Sequence, residues 1–272
     1  MIAHEAPRRL VLLGHPVAHS RSPRMQNAAL AAAGIAARYE ALDVAPENFE
    51  DAVAGLAGAR AAGNVTVPYK ERMREACDAV TPLAERVGAV NCWWIDERGR
   101  LIGDNTDVGG FDAAVAALLG ERPRNLNVGV LGAGGAAAGV LGAVESWPGS
   151  LAHVYNRTPE RARLLCERFW SAARPVDDVG VIAGCQLVVN ATSVGLHDDA
   201  MPLDVALVAP ESVVVDLVYR PNETAFVRAA RERGHRAIDG RAMLVEQGAL
   251  AFERWFGVRP DRDVMWRAVA QD

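Results

Sequence analysis

The sequence predicts an α/β protein of two domains, each built on a mostly parallel sheet. Two observations lead there. Short apolar runs alternate with helical segments along nearly the whole chain. One of those runs, Asn127-Val128-Gly129-Val130-Leu131, passes straight into Gly132-Ala133-Gly134-Gly135 and then an alanine-rich segment. With 272 residues, 50% hydrophobic and 23% charged, the chain has material for two cores.

Residues 10–13 form a short apolar strand ending at Gly14. Ser22-Pro23 reads as a cap followed by proline at the first helical position, with Gly34 as the stop. Residues 39–44 alternate as a strand does, and 46–56 suit a helix. Residues 62–67 form a strand that ends at Pro68-Tyr69-Lys70, and 71–79 and 82–87 are helical. Residues 90–95 and 101–103 pair as a hairpin around Asp96-Glu97-Arg98-Gly99. Asp107 begins a helix through Leu119, and the polar stretch 120–127 is a connector.

In the second domain, strands at 127–131, 151–155, 187–190 and 213–217 alternate with helices, including 159–169 and 224–233. A short strand near Ala237-Ile238 precedes Gly240, and the tail, 242–256 and 261–270, is two amphipathic helices. Strand, glycine turn and helix together are what a dinucleotide pyrophosphate needs. Glycines let the backbone approach the phosphates, and the helix N-terminus offers unpaired N–H groups to the anion. Gly132, Ala133, Gly134, Gly135 and Ala136 are therefore cofactor candidates in a Rossmann-type domain.

At the end of the next strand, where an acid usually grips the ribose of NAD, the chain reads Asn156-Arg157-Thr158. A carboxylate would repel a 2′-phosphate, whereas the fork of Arg157 can pair with it and Asn156 and Thr158 can add neutral hydrogen bonds. The expected cofactor is NADP. The alternative is that Arg157 is an ordinary surface residue before a helix.

The net charge of −5, with no long basic run, argues against a nucleic-acid partner. The first nine residues lack the apolar core of a signal peptide, and no 18-residue apolar run stands free of charges and breakers. The expected protein is cytoplasmic, with no membrane partner. Four cysteines and six histidines are scattered without metal-ligand spacing, so no metal is expected and the cysteines read as small buried apolar residues.

Four clusters in the first domain can carry chemistry: His19-Ser20-Arg21-Ser22-Pro23, Asn64-Val65-Thr66-Val67-Pro68-Tyr69-Lys70, Ala89-Val90-Asn91 and Gly103-Asp104-Asn105-Thr106-Asp107. Asn64 and Thr66 fall on one face of the expected strand, with Lys70 just past its end. Hydroxyls, amides, one amine and one carboxylate suit a small, polyhydroxylated, anionic molecule. Taken singly, Ser22 and Asp107 can be only helix caps, Asn64 and Thr66 can satisfy buried backbone, and Lys70 can be a solvated lysine. Beside a nucleotide domain they read better as one site.

These residues resemble the shikimate dehydrogenase family over nearly the full length. To the clusters above, extended back to Gly14-His15-Pro16-Val17-Ala18, the resemblance adds Gly88-Ala89-Val90-Asn91, Gly132-Ala133-Gly134-Gly135, Asn156-Arg157-Thr158, Asn190-Ala191-Thr192-Ser193 and Met243-Leu244-Val245-Glu246-Gln247. It implies that Ser20 and Ser22 bind the substrate carboxylate, that Asn64, Thr66, Asn91, Asp107 and Gln247 bind ring hydroxyls, and that Lys70 and Asp107 form the catalytic pair. Tyr219 would lie at the substrate beside the nicotinamide, with Gly240. Thr192 and Met243 join the cofactor set. The C-terminal helices would pack back on the first domain and supply Gln247. Residues 1–107, completed by 239–272, would form the substrate domain, and 108–238 the NADP-binding domain. The implied reaction is NADP-linked interconversion of 3-dehydroshikimate and shikimate in a monomer or homodimer. An amine and an acid from one lobe would face the pyridine ring held by the other.

Cys92, Val108, Arg241-Ala242, Ala225 and Gly248 depart from the family pattern. The alternative readings are a paralogue acting on quinate or another cyclohexane or cyclohexene carboxylate, and a ligand-binding regulatory module. Retention of both Lys70 and Asp107 argues against the module.

Overall fold

The structure is a computed structural model, and it describes residues 6–270. Most of the N-terminal stretch read above for a signal peptide, residues 1–5, lies outside them. The chain divides into two compact units, 1–110 with 244–272, and 111–243. The boundaries expected from sequence were 107/108 and 238/239.

The first unit begins with β1 (Arg9–Gly14), α1 (Ser22–Ala32), β2 (Arg38–Asp43), α2 (Phe49–Gly58), β3 (Ala62–Val65), α3 (Lys70–Ala76), β4 (Ala79–Val80), α4 (Pro82–Val87), β5 (Cys92–Ile95) and β6 (Leu101–Asp104). Its sheet runs β2-β1-β3-β5-β6-β4. Strands β2, β1 and β3 are parallel, β5 is antiparallel to both β3 and β6, and β4 is parallel to β6. Buried Val11, Leu13, Phe49, Tyr69 and Trp93 form its core, where Phe49 and Tyr69 stack with centroids 4.7 Å apart. Helix α4 shows how local sequence sets an element. The Thr81 hydroxyl caps the Ala84 N–H, Pro82 opens the helix, and Gly88 at φ +73° closes it.

Helix α5 (Asp107–Leu119) leads into β7 (Asn127–Leu131), α6 (Gly135–Glu145), β8 (Leu151–Tyr155), α7 (Pro159–Arg168), β9 (Ala173–Pro175), α8 (Val179–Ala183), β10 (Leu187–Asn190), β11 (Val213–Asp216), α9 (Ala225–Glu232) and β12 (Ala237–Ile238). The second sheet is parallel throughout, in the order β12-β11-β10-β7-β8-β9. Numbered from β7, this is the doubly wound order 3-2-1-4-5-6, whose direction of winding reverses between β7 and β10.

Helices α10 (Arg241–Phe256) and α11 (Arg262–Ala270) end the described chain. From Leu244 onward they belong to the first unit. Gln26 Nε2 donates to Gly248 O at 2.9 Å, Trp255 Nε1 to Trp93 O at 3.2 Å, and the Arg21 guanidinium to Val269 O. Glycine at 248 has a packing reason: a Cβ there would lie 2.3 Å from Met25 Cε. Among the described residues, no helix is long and apolar enough to cross a membrane.

Several sequence expectations need correction. The β3 ladder stops at Val65, so Thr66 is not a strand residue. The helix expected to reach Ala79 ends at Ala76, and Ala79–Val80 instead pairs with Ile102 and Gly103. Ser22 lies inside α1 rather than capping it; Arg21 holds the cap position with no side-chain cap bond. Strand β9 and helix α8 were not anticipated.

Candidate active site

Register brings the first-unit motifs to one sheet edge. Leu13 is paired with Val65, Asn64 with Cys92, and Cys92 with Asp104. The segments that follow β1, β3 and β6, and the one that precedes β5, therefore emerge side by side. Backbone bonds continue the row: Thr66 N to Leu13 O (2.8 Å), Val65 N to Asn91 O (3.0 Å) and Asn91 N to Asp104 O (3.1 Å).

The centre of the row is Asp107, at the start of α5. Lys70 Nζ donates to Oδ2 at 2.6 Å and Asn91 Nδ2 to Oδ1 at 2.7 Å, so each carboxylate oxygen has a donor. The Lys70 side chain is 14% exposed and that of Asp107 is 5% exposed, so the pair is shielded but reachable. Asn91 Oδ1 accepts the Thr106 N–H at 2.7 Å, which fixes the amide with its nitrogen towards the carboxylate. Asn91 Nδ2 also lies 3.4 Å from Gln247 Oε1, while Gln247 Nε2 donates to Leu244 O at 2.9 Å. Asn64 Nδ2 donates to Asn91 O (2.9 Å), and its Oδ1 accepts from the buried Tyr39 hydroxyl (2.8 Å). An amide nitrogen carries two protons, and the bond to Asn91 O uses one of those on Asn64.

The structure thus brings Lys70, Asp107, Asn91, Asn64 and Gln247 into one bonded group. Ser20 and Ser22 stand at the head of α1, where Ser20 Oγ accepts the Ser22 N–H at 3.2 Å. Half-buried Thr66 sits just beyond β3. Asp104, 1% exposed, anchors the approach to Asp107 by taking Arg254 Nε at 2.7 Å and the Asn105 N–H at 2.8 Å. Burial pushes the Cys77 thiol up to about 12, those of Cys166 and Cys185 to about 11, and that of Cys92 well above its ordinary value. These thiols are uncharged at neutral pH and are not nucleophiles.

In the second unit, Tyr155, Leu131, Asn190 and Asp216 pair across adjacent strands in a single row. The segments leaving that row contain nearly all the cofactor candidates. Gly132 has φ +110°, and a Cβ there would lie 2.8 Å from Ala191 O, so only glycine fits against the neighbouring loop. Gly134 precedes α6 with no side-chain cap, which leaves the first-turn N–H groups around Gly135 and Ala136 to bind an anion. Asn156 Nδ2 holds Thr158 O at 2.8 Å, and Arg157 between them is exposed. Gly240 donates to Val218 O at 3.0 Å, and a Cβ on it would meet Leu217 O at 2.3 Å and the Tyr219 ring at 3.3 Å. Met243 is buried at the start of α10.

Sequence reasoning quoted Asn190 in a motif without giving it a role, and missed Asp216 and Thr224 as part of this edge. Asn190 Oδ1 accepts Thr192 Oγ1 (2.7 Å) and the Thr192 N–H (3.1 Å). Its Nδ2 donates to Asp216 Oδ1 at 2.8 Å, and Thr224 Oγ1 donates to Asp216 Oδ2 at 2.8 Å. Burial pushes the Asp216 carboxyl up to about 6; bonds from Thr224, the Val218 N–H and Asn190 oppose this, and the charge of Asp239 adds to it. The available signal was a polar residue closing each otherwise apolar run, Leu187–Asn190 and Val213–Asp216.

Comparison with known proteins agrees along the chain. Residues 12–93 match the shikimate dehydrogenase substrate binding domain, and residues 240–270 match the shikimate 5'-dehydrogenase C-terminal domain. The shikimate dehydrogenase (NADP(+)) of Symbiobacterium thermophilum is 44% identical over 270 residues, covering 94% of this chain and 91% of that one. The crystal structure of shikimate 5-dehydrogenase from Thermus thermophilus in complex with NADP(H) and shikimate superposes with a TM-score of 0.87 at 42% identity, covering 96% of this chain and 97% of that one. Quinate dehydrogenase from Corynebacterium glutamicum in complex with NAD has a TM-score of 0.84 at 30% identity, covering 97% and 99%. The chain belongs to the shikimate dehydrogenase family.

Proposed function

We propose that the protein reversibly reduces 3-dehydroshikimate to shikimate with NADP as cofactor, using Lys70 and Asp107 as its catalytic pair. The observation that carries this is the Lys70–Asp107–Asn91 group, in which a shielded ammonium is held at 2.6 Å by a carboxylate that Asn91 also fixes. A ketone that accepts hydride develops negative charge on oxygen. The Lys70 ammonium stabilises that charge, and the Lys70–Asp107 pair delivers the proton. In the reverse direction the pair takes the hydroxyl proton. Asn64, Asn91, Thr66 and Gln247 offer amide and hydroxyl partners to ring hydroxyls, and Ser20 and Ser22 offer donors to a carboxylate.

The residues of the second unit fit the cofactor. Gly132 to Ala136 would hold the pyrophosphate, Asn156, Arg157 and Thr158 the 2′-phosphate, and Thr192, Tyr219, Gly240 and Met243 the nicotinamide end. When bound, NADPH supplies the hydride. A cytoplasmic place and a monomeric or homodimeric state go with this reading.

Quinate is the second reading, favoured by the similarity to the quinate dehydrogenase structure. The higher identity to the shikimate enzymes ranks shikimate first. The test follows absorbance of reduced cofactor with shikimate and quinate, each with NADP and NAD. Fastest turnover on shikimate with NADP is expected, and turnover on quinate alone would overturn the substrate assignment. Lys70→Ala should lower kcat by roughly 10³-fold with little change in substrate affinity; near-parental turnover would remove Lys70 from the chemistry.

A further inference from the structure

We propose that Asp216 is a positioning residue for the cofactor, its Oδ1 holding in place both loops that receive the nicotinamide end. This rests on the reading that the second unit binds NADP. Two backbone segments leave the β10 and β11 ends of the sheet, and one carboxylate oxygen ties them together. Asp216 Oδ1 accepts Asn190 Nδ2 at 2.8 Å and the Val218 N–H at 3.0 Å. Through Asn190 the tie reaches Thr192, whose hydroxyl and N–H both bind Asn190 Oδ1. Thr192 Oγ1 in turn accepts the Val194 N–H at 3.0 Å, so the whole turn hangs from the amide. The Thr192 methyl would lie 3.1 Å from a Cβ on Gly132. The chain therefore ends against the glycine turn expected to hold the pyrophosphate. Through Val218 the tie reaches the turn before Tyr219, and Val218 O receives the Gly240 N–H at 3.0 Å.

The other oxygen of Asp216 has a separate role. Oδ2 accepts Thr224 Oγ1, and Thr224 caps α9 by accepting the Val227 N–H at 3.3 Å. One side chain thus has a cofactor-facing arm and a helix-capping arm, and substitutions can break each alone. Asp216 and Asn190 have no exposed surface, so neither touches a ligand itself.

The experiment titrates NADP into cofactor-free protein by calorimetry and records melting temperatures of the same samples. Asn190→Ala should raise the Kd about tenfold, the loss of roughly one buried hydrogen-bonded link, and Asp216→Ala, which also frees the Val218 N–H, should raise it at least as much. The double variant should bind no worse than about twofold beyond Asp216→Ala, because that substitution already cuts the tie through Asn190. Asp216→Asn should stay within about twofold of the parent, since its amide oxygen can still accept from Asn190 and Val218. Thr224→Val should lower the melting temperature by a few degrees and leave the Kd unchanged. At saturating NADP, the KM for shikimate should be unmoved in Asn190→Ala and Thr224→Val, which leave the Asp216–Val218 bond before Tyr219 in place. If Asp216→Ala does not fold, Asn190→Ala decides. Parental affinity in Asn190→Ala, or an equal loss in Thr224→Val, overturns the inference. Absence of saturable NADP binding by the parent chain would instead overturn the cofactor reading beneath it.

Discussion

Asp216 makes stability depend on pH in an unusual direction. Its carboxyl has no exposed surface, and burial lifts it from 3.8 to about 6. The folded state therefore takes up this proton at a higher pH than the unfolded chain does. Above pH 6 both states are ionised, and the buried charge costs the fold about 3 kcal/mol relative to an unshifted carboxyl. Between about 6 and 3.8 the folded state holds more protons, so acidification stabilises it and the cost disappears. Exposed Asp43 and Glu50 and half-buried Asp96 work the other way. His15, Arg72 and the Arg100 N–H respectively, as the leading partners, hold them below the ordinary carboxylate range, so their contributions fade on acidification. The Asp216 effect is isolated by comparing the parent with Asp216→Asn, which cannot titrate. Native-state amide exchange in β10 and β11, read between pH 4 and 7 after correction for intrinsic rates, reports this unit even if the two units unfold separately. The parent should gain roughly 2 kcal/mol on the variant as pH falls from 7 to 4, most of the full linkage term. A difference that does not change with pH, or that changes in the opposite direction, would show that the buried carboxyl does not titrate as argued.

Three further outcomes are expected. Arg157→Asp should weaken NADP and shift the ratio of kcat/KM towards NAD by about tenfold or more, measured with both cofactors; an unchanged preference would refute the 2′-phosphate assignment. Gly110→Ala places a Cβ 2.6 Å from Gln247 Cβ and 2.7 Å from its backbone nitrogen, forcing α10 outward from α5. The KM for shikimate should rise about tenfold while NADP affinity holds, and an unmoved KM would count against a role for Gln247. Asn91→Leu strips Asp107 Oδ1 of its amide donor and the Thr106 N–H of its acceptor, both buried. A melting point lower by several degrees and a reduced kcat are expected, and parental values of both would mean the amide orders nothing.

Much of the site was legible because chemistry-bearing residues follow apolar strands closely. Asn64, Lys70, Asn91 and Asp107 each lie within a few residues of a strand end, and Gly132 to Gly135 separate a strand from a helix. Period and punctuation suffice to find such places. Strand β9 and helix α8, three and five residues long, are too short to show a period. Ala79–Val80 pairs with β6 only because of tertiary register, and two residues carry no strand signal of their own.

What the amino-acid order determined by itself was local: which segments are buried, where they break, and which positions must be glycine or hold a charge. What only the tertiary structure decided was adjacency. Asn91 meets Asp107 across 16 positions and Gln247 across 156, and Asp216 meets Asn190 across 26. A hydrogen bond requires its atoms within about 3 Å. Strand order and register set that separation, and no periodicity along a single strand encodes either.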